Sequence, residues 1–490
     1  MKNPKRSPSS SLITVVLSVT VMFTGAAAQN DSDIRTAPPT VIFKTLVNFN
    51  GTNGANPGRP PIQGRDGNLY GTAGGGAYGQ GVLFKLTPAG KLTTLYNFCP
   101  QTGCADGSGP GALGLGADGN FYGGTASGGT FGYGTIFKFA GSGTPTTLFS
   151  FDDTDGSSIY DRMVQVGDGN FYGVTPYGGN LDNCLGGSGC GTVFKMTPAG
   201  TLTRLYAFCN KTDCADGTVL YESLALGTDG NFYGATWGGG KGDGGTIFKI
   251  TPSGKLTTLY TFCDDYPFCS DGANPIGPVL GNDGNFYGTT AFGGAYSEGS
   301  IFKITPSGTL TTIYSFCTKV GCTDGSDARS GMILGSDGNF YGTTYYGGAN
   351  NEGTVFQITP AGVLTTLHSF DGTDGYNQIG IMFQATNGIF YGQTTNGGSG
   401  GDGTLFSLSL GLSPFVETAP TNGKVGTKVI ILGNKLTGST KVTFNGKTAT
   451  FKVVSNTEIT ATVPTGATTG PVKVTTPSGT LTSNVNFLVP

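Results

Sequence analysis

Apolar and polar residues alternate in short runs along most of this 490-residue chain, and the runs return at a nearly fixed interval. The stretch Cys317–Phe370 shows one interval. A short apolar run, Gly331–Gly335, is followed by Asn339–Tyr345, by Gly353–Thr359 with Thr354, Phe356 and Ile358 on one side, and by Val363–Phe370. Period-two alternation over runs this short predicts β-strands. Ser336-Asp337-Gly338 separates the first two runs, and Asp-Gly between apolar runs is a strong hairpin signal. Thr359-Pro360-Ala361-Gly362 separates the last two, with Pro and Gly where a tight turn needs them. Each interval therefore predicts four antiparallel strands, the unit of a propeller blade.

The hexapeptide Asp-Gly-Asn-Phe-Tyr-Gly, or a close variant, marks every interval. It begins at Asp66, Asp118, Asp168, Asp229, Asp283 and Asp337, then in degraded form at Asn387, so its tyrosines recur every 50 to 61 residues. Repeats in this range make solenoids or propellers. The array ends decide between them. The seventh unit has three strands, ending at Thr404–Leu410, and lacks a fourth; a lone segment of fourth-strand type, Phe43–Phe49, precedes the first unit. If that segment completes the last unit, a ring closes and its sheet edges disappear, which a solenoid would not require. The predicted architecture is all-β: a seven-bladed β-propeller over residues 42–412. The recurrent Tyr of strand two and Phe of strand three (Phe84 to Phe406) are expected to fill the space between blades.

Residues 413–490 leave the period. Short strands are predicted at Lys428–Leu432, Lys441–Phe444, Glu458–Val463 and Val472–Thr476, the patterning of an Ig-like sandwich. The segments Ala419–Thr427, Ile431–Leu436, Val442–Gly446 and Val463–Gly466 resemble an IPT/TIG domain over nearly all of this region. That resemblance implies an Ig-like structural or binding module of exported and cell-surface proteins. The repeat itself, with its Gly-Thr-Val-Phe-Lys-Ile-Thr-Pro third strand and Leu-Thr-Thr-Leu-Tyr-x-Phe fourth, resembles the GloVer-type tandem repeat of exported bacterial proteins across about residues 43–410. The family implies no particular activity. A general likeness to NHL-type blades implies that the Asp-Gly turn joins the two inner strands. The inter-blade loops and the loops between strands two and three would then share one face.

Lys2, Lys5 and Arg6, the apolar run Leu12–Phe23 and Ala26-Ala27-Ala28 predict a signal peptide over residues 1–28, followed by a linker over 29–41. No later run is long enough for a membrane helix. The ten cysteines fall into five near pairs: Cys99 with Cys104, Cys184 with Cys190, Cys209 with Cys214, Cys263 with Cys269, and Cys317 with Cys322. In an exported chain such spacing predicts disulfides, and five short loops pinned rather than a fold held together. Zinc fits poorly, because His368 is the one histidine and pairs in separate blades cannot converge. Seven lysines and two glutamates fall in the last 78 residues, which leaves the propeller region acidic and speaks against nucleic acid as a partner.

The loop-rich face carries the candidate chemistry. Its aromatic set includes Tyr133, Tyr177, Trp237, Phe292 and Tyr345, and its acids include Asp106, Asp216, Asp271 and Asp324, each followed by Gly. Aromatic faces beside carboxylates suit sugars, which offer C–H faces to stack and hydroxyls to donate. The competing reading makes the Asp-Gly pairs turn formers. Phe151-Asp152-Asp153-Thr154-Asp155-Gly156 and Phe370-Asp371-Gly372-Thr373-Asp374-Gly375 begin as a calcium loop does but lack the twelve-residue pattern and its closing glutamate. No cofactor is expected; calcium is the one cation the pattern leaves open. No nucleophile elbow or phosphate loop is present, and a Ser/His/Asp triad would hang on His368 alone. The expected function is binding or adhesion outside the cell, with a glycan or another envelope component as partner. The alternative is a carbohydrate-active lyase or hydrolase with a carboxylate pair on the same face.

Overall fold

The computed structural model describes residues 40–180, 184, 187–378 and 380–490. The predicted signal peptide and nearly all of the linker lie outside the described residues. Between Ile42 and Ser409 the chain forms seven four-stranded antiparallel sheets, the arrangement of propeller blades. In the sixth, Ile333–Leu334, Phe340–Thr344, Thr354–Ile358 and Leu364–Ser369 fall inside the four runs that alternation predicts. The seventh sheet consists of Phe383–Gln384, Phe390–Thr394 and Thr404–Ser409, completed by the N-terminal strand Ile42–Asn48. Ile42 pairs with Ser409 and Asn48 with Thr404.

The hexapeptide is explained residue by residue. The Asp carboxylate accepts the Asn N–H two residues on and the Tyr hydroxyl four residues on; for Asp118 these bonds measure 3.1 and 2.9 Å. The Lys of strand three reaches the same carboxylate, 2.8 Å from Lys138. The first Gly takes a positive φ, 78° at Gly119, as the turn requires. The last Gly has a different reason: a Cβ on Gly123 would lie 2.6 Å from the ring of Phe137. That ring crosses directly over the backbone of its own sheet.

The two aromatic residues of the motif join neighbouring sheets. Tyr122 packs on Phe171 of the next sheet at 4.1 Å between centroids. Tyr70 meets Phe121, Tyr172 meets Phe232, Tyr233 meets Phe286, Tyr287 meets Phe340 and Tyr341 meets Phe390 at 4.0–4.4 Å. At the junction of sheets seven and one, Tyr391 lies in one buried cluster with Leu69, which stands where other motifs have Phe, and with Phe49, Phe84 and Leu405. The recurrent rings therefore fill the sheet–sheet space, as expected from their recurrence.

Residues 417–482 form two further four-stranded sheets around a separate core of Val429, Ile431, Val442, Phe444, Ile459 and Val474. This sandwich sits on the Asp-Gly turns. Arg65 forms a bidentate pair with buried Glu458, both bonds 2.7 Å, and the Thr457 hydroxyl donates to the Arg65 carbonyl at 2.6 Å. Asn434 donates to Thr386, and the Gly167 amide donates to Asn422. Replacing Phe49, fully buried where the first strand meets sheets one and seven, by Ala should destabilise the protein by about 3–5 kcal/mol. Urea denaturation of Phe49→Ala checks this, with a matching change at an exposed ring such as Tyr78→Ala as the near-neutral control.

Candidate functional site

The ten cysteines form the five expected disulfides. Cys99 is bonded to Cys104, Cys184 to Cys190, Cys209 to Cys214, Cys263 to Cys269, and Cys317 to Cys322. Each bridge spans five or six residues and stays within its own loop, so these residues brace the loop face and offer no thiol to a ligand. Cys184, Cys190 and Cys209 approach one another, but all three are disulfide-bonded. The turns closed by Cys104, Cys214, Cys269 and Cys322 share one device. In each, the cysteine carbonyl accepts the amide of the Gly three residues on, at 2.8–2.9 Å.

Beside these loops the Asp-Gly acids have internal duties. Asp216 and Asp324 are fully buried. Asp216 accepts the Tyr206 hydroxyl at 2.6 Å and the Asn210 amide at 3.0 Å; Asp324 accepts Tyr314 at 2.6 Å and both the amide and hydroxyl of Thr318. Asp106 holds Tyr96 and the Cys99 amide, and Asp271 holds Tyr260 and the Cys263 amide. The oxygens of these four acids anchor the cysteine loops to strand four. In the two loops without cysteine, Asp152 and Asp371 accept the backbone amides of the following turn. Asp374 takes His368 Nε2 at 2.6 Å, and Phe43 stacks on that imidazole at 3.7 Å.

The aromatic candidates fare differently. Trp237 is half-buried at the end of strand two, and its ring meets Tyr221 at 5.7 Å and Phe292 at 6.5 Å, both edge to face. Tyr177 reaches the Tyr221 hydroxyl at 3.3 Å. The Arg329 guanidinium lies over both Phe292 and Tyr345, 5.5 and 4.9 Å from the ring centroids. Asp327 holds it from the side at 2.8 Å. Tyr345 then meets Tyr346 edge to face. Tyr177, Trp237, Phe292 and Tyr345 thus join one continuous arc across sheets three to six. Tyr133 is exposed and makes no ring contact with that arc among the described residues, although its carbonyl accepts the Ser158 amide.

Tyr221 and Arg329 are absent from the sequence-derived set, as are four charged residues: Arg59, Asp161, Arg162 and Glu222. All lie in the stretch leading from one sheet to the first strand of the next. There the repeats have no consensus, and a charge or ring that only one unit carries is the signal that could have found them. Arg59, before sheet one, pairs with Glu222, before sheet four, at 3.0 Å. Asp161 lies within hydrogen-bonding reach of Glu222 and accepts the Ser223 amide at 2.7 Å. Burial and the neighbouring Asp161 charge push the Glu222 carboxyl up to about 8, with Arg59 only partly offsetting them. Burial acts in the same direction on Asp161, but Arg59 and Arg162 outweigh it and hold that carboxyl below the usual range. The pair therefore shares a proton at neutral pH, carried by Glu222.

A raised folded-state value means that the native protein binds the proton more tightly than the unfolded chain does. Stability from Glu222 is complete below its ordinary value near 4.5 and is lost as pH climbs through about 8. A single such group contributes a slope of at most about 1.4 kcal/mol per pH unit. Glu222→Gln, which keeps a donor toward Asp161, should flatten the fall in urea midpoint between pH 5 and 8. The slope that remains belongs in part to Glu417, which burial pushes up to about 7 against the pull of Arg162, and in part to Asp155, which burial pushes up to about 6.

Among known proteins, the pattern described as the Gloeobacter/Verrucomicrobia repeat matches residues 16–225 and 183–406, and the IPT/TIG domain matches residues 413–489. No curated protein matches the chain. Solved structures resemble it at low identity. The extracellular domain of a hybrid two-component system from Bacteroides thetaiotaomicron is 14% identical with a TM-score of 0.46; the alignment covers 79% of this chain and 46% of that one. A gluconolactonase from Xanthomonas campestris is 13% identical with a TM-score of 0.33, covering 56% of this chain and 80% of that one. An aldose sugar dehydrogenase from Streptomyces coelicolor is 15% identical with a TM-score of 0.35, covering 76% and 99%. This chain spans less than half of the Bacteroides chain it matches. With its seven marked units and the sandwich that follows them, the chain belongs to the Gloeobacter/Verrucomicrobia repeat family and carries a C-terminal IPT/TIG domain.

Proposed function

We propose that residues 42–412 are a closed seven-bladed propeller acting outside the cell as a carbohydrate-binding module, with no chemistry of its own. The ring reading rests on the N-terminal strand paired into sheet seven and on the cluster that joins Tyr391 to Leu69. Disulfide-pinned loops and the leader-like N-terminus support export, since disulfides persist in oxidising compartments. Among the described residues no helix is long and apolar enough to cross a membrane.

The observation that carries the binding reading is the arc Tyr177–Tyr221–Trp237–Phe292–Arg329–Tyr345. Its rings offer faces and edges for the C–H surface of a sugar, while Arg329 and the tyrosine hydroxyls can donate to sugar oxygens. The loops that hold the arc are braced by part-buried Asp–Tyr bonds, so little ordering cost falls on the binding step. Hydrolysis is less well supported. Asp161 and Glu222 lie within hydrogen-bonding reach of each other, and Arg59 pairs with Glu222, so the two carboxylates are closer together than the roughly 5 Å or more that separates glycosidase carboxylates.

A glycan array run with the secreted protein, followed by titration of any hit, tests this reading. Trp237 is the only tryptophan, so intrinsic emission reports on the arc alone. Binding should shift that emission, and Trp237→Ala or Tyr345→Ala should weaken it by about tenfold, the worth of one aromatic contact near 1.4 kcal/mol. A hit that leaves the emission unchanged and binds Trp237→Ala as well as wild type would refute the site. Turnover of a hit would favour the enzymatic alternative.

A further inference from the structure

A second site lies between the first strands of the seven sheets and the C-terminal sandwich. Two cavities, of 340 and 240 Å³, adjoin there, since Arg162, Val164, Phe383, Glu417 and Thr421 belong to the walls of both. The larger volume alone falls at the small end of ligand pockets, which begin near ~300 Å³. Leu226, Val279 and Leu334, from three different sheets, give the larger cavity an apolar wall that Phe383 continues into the smaller one. The sandwich makes its polar contacts to the turns of sheets one, three and seven. Over sheets four and five the rim is left to the exposed residues Thr228, Asn282 and Asn486, which marks the way in.

Arg162, where the two cavities meet, differs from every other arginine of the described residues. Arg59 pairs with Glu222, Arg65 with Glu458 and Arg329 with Asp327, while Arg204 donates to the Thr154 carbonyl. The Arg162 guanidinium has no ion pair and no hydrogen-bond acceptor among the described residues; only its backbone amide is bonded, to Asp161. Yet the residue is exposed, and the surface it keeps lies in the cavity walls. The acids whose charge reaches it, Asp161 and Glu417, both stand beyond ion-pair distance. Asp161 is engaged elsewhere, by the Ser223 amide and by Arg59. With Glu222 and, up to about pH 7, Glu417 holding their protons, Arg59 and Arg162 outweigh Asp161 and leave the group positive. A guanidinium presents paired N–H donors that match the two oxygens of a carboxylate. We infer that these cavities bind an amphipathic carboxylate, whose head is held by the Arg162 guanidinium while its hydrocarbon lies along Leu226, Val279 and Leu334. Glu417 is the competitor for that guanidinium, so neutralising it should favour the ligand.

Isothermal calorimetry on the full secreted chain at pH 7 tests this with octanoate, octanol and octylammonium as probes. Octanoate should bind at least tenfold more tightly than octanol, and octylammonium more weakly than either. Arg162→Gln should lose the octanoate preference while binding octanol within about twofold of wild type. Retained octanol binding separates loss of the charge contact from misfolding. Glu417→Gln keeps the side-chain shape and should tighten octanoate about threefold, with octanol unchanged. Trp237→Ala should leave the octanoate affinity as it is, so this site stands or falls apart from the aromatic arc. Equal binding of carboxylate and alcohol, a preference for the amine, or no binding of any probe would each overturn the inference. So would an octanoate preference that survives Arg162→Gln, or octanoate binding that weakens in Glu417→Gln.

Discussion

The contact between each motif tyrosine and the next sheet's motif, a phenylalanine at six junctions and Leu69 at the seventh, is the constraint on which this structure rests. A four-stranded sheet with two apolar faces is not stable alone in water; it must cover both faces. Here the motif supplies one ring from each side at six of the junctions, and in the six complete motifs the same tyrosine hydroxyl is tied back to the aspartate of its own turn. Hairpin geometry and sheet packing are therefore set by one six-residue segment. Gly123 and its counterparts complete the device, because only a residue without Cβ lets the strand-three phenylalanine lie over the backbone.

A scaffold with this much redundancy leaves its loops free to differ. Fourth-strand tyrosines and the Asp-Gly acids brace the loop face from within, and disulfides close the cysteine loops beside them. What remains for recognition are the positions that the repeat does not specify. Tyr221, Arg329, Asp161 and Glu222 all sit where one sheet hands over to the next, at the channel. Charges there are seldom screened by water, which is why Glu222 and Glu417 hold protons into the neutral range while Asp161, flanked by two guanidiniums, does not.

The C-terminal sandwich contributes more than an appended module would. Arg65 and Glu458 fix it over the turns by a bidentate ion pair in which the carboxylate is almost wholly buried, the kind of contact that sets orientation as well as affinity. Glu417, Val485 and Leu488 thereby become part of the channel wall. The domain junction and the inner cavity are one construction.

Local chemistry made much of the fold legible in the sequence. Asp-Gly turns, Thr-Pro-x-Gly turns and period-two alternation located the four strands of the sixth unit to within a residue or two, because hairpins are specified by neighbours in the chain. The displaced strand at Phe43 and the disulfide pairs were readable for the same reason: each is a departure from, or an addition to, a local pattern. Half of the candidate site was legible as well, since Trp237, Tyr177, Phe292 and Tyr345 carry side chains that the repeat does not require. The internal bonds of the acids were not legible, because an aspartate that anchors a part-buried tyrosine 10 or 11 residues away has the same local sequence as one facing solvent. Only the tertiary structure could bring Arg59 to Glu222 across 163 residues, or set Arg329 between Phe292 and Tyr345. Those contacts depend on how each sheet packs against the next, a sum of small rotations at successive junctions that no single segment encodes.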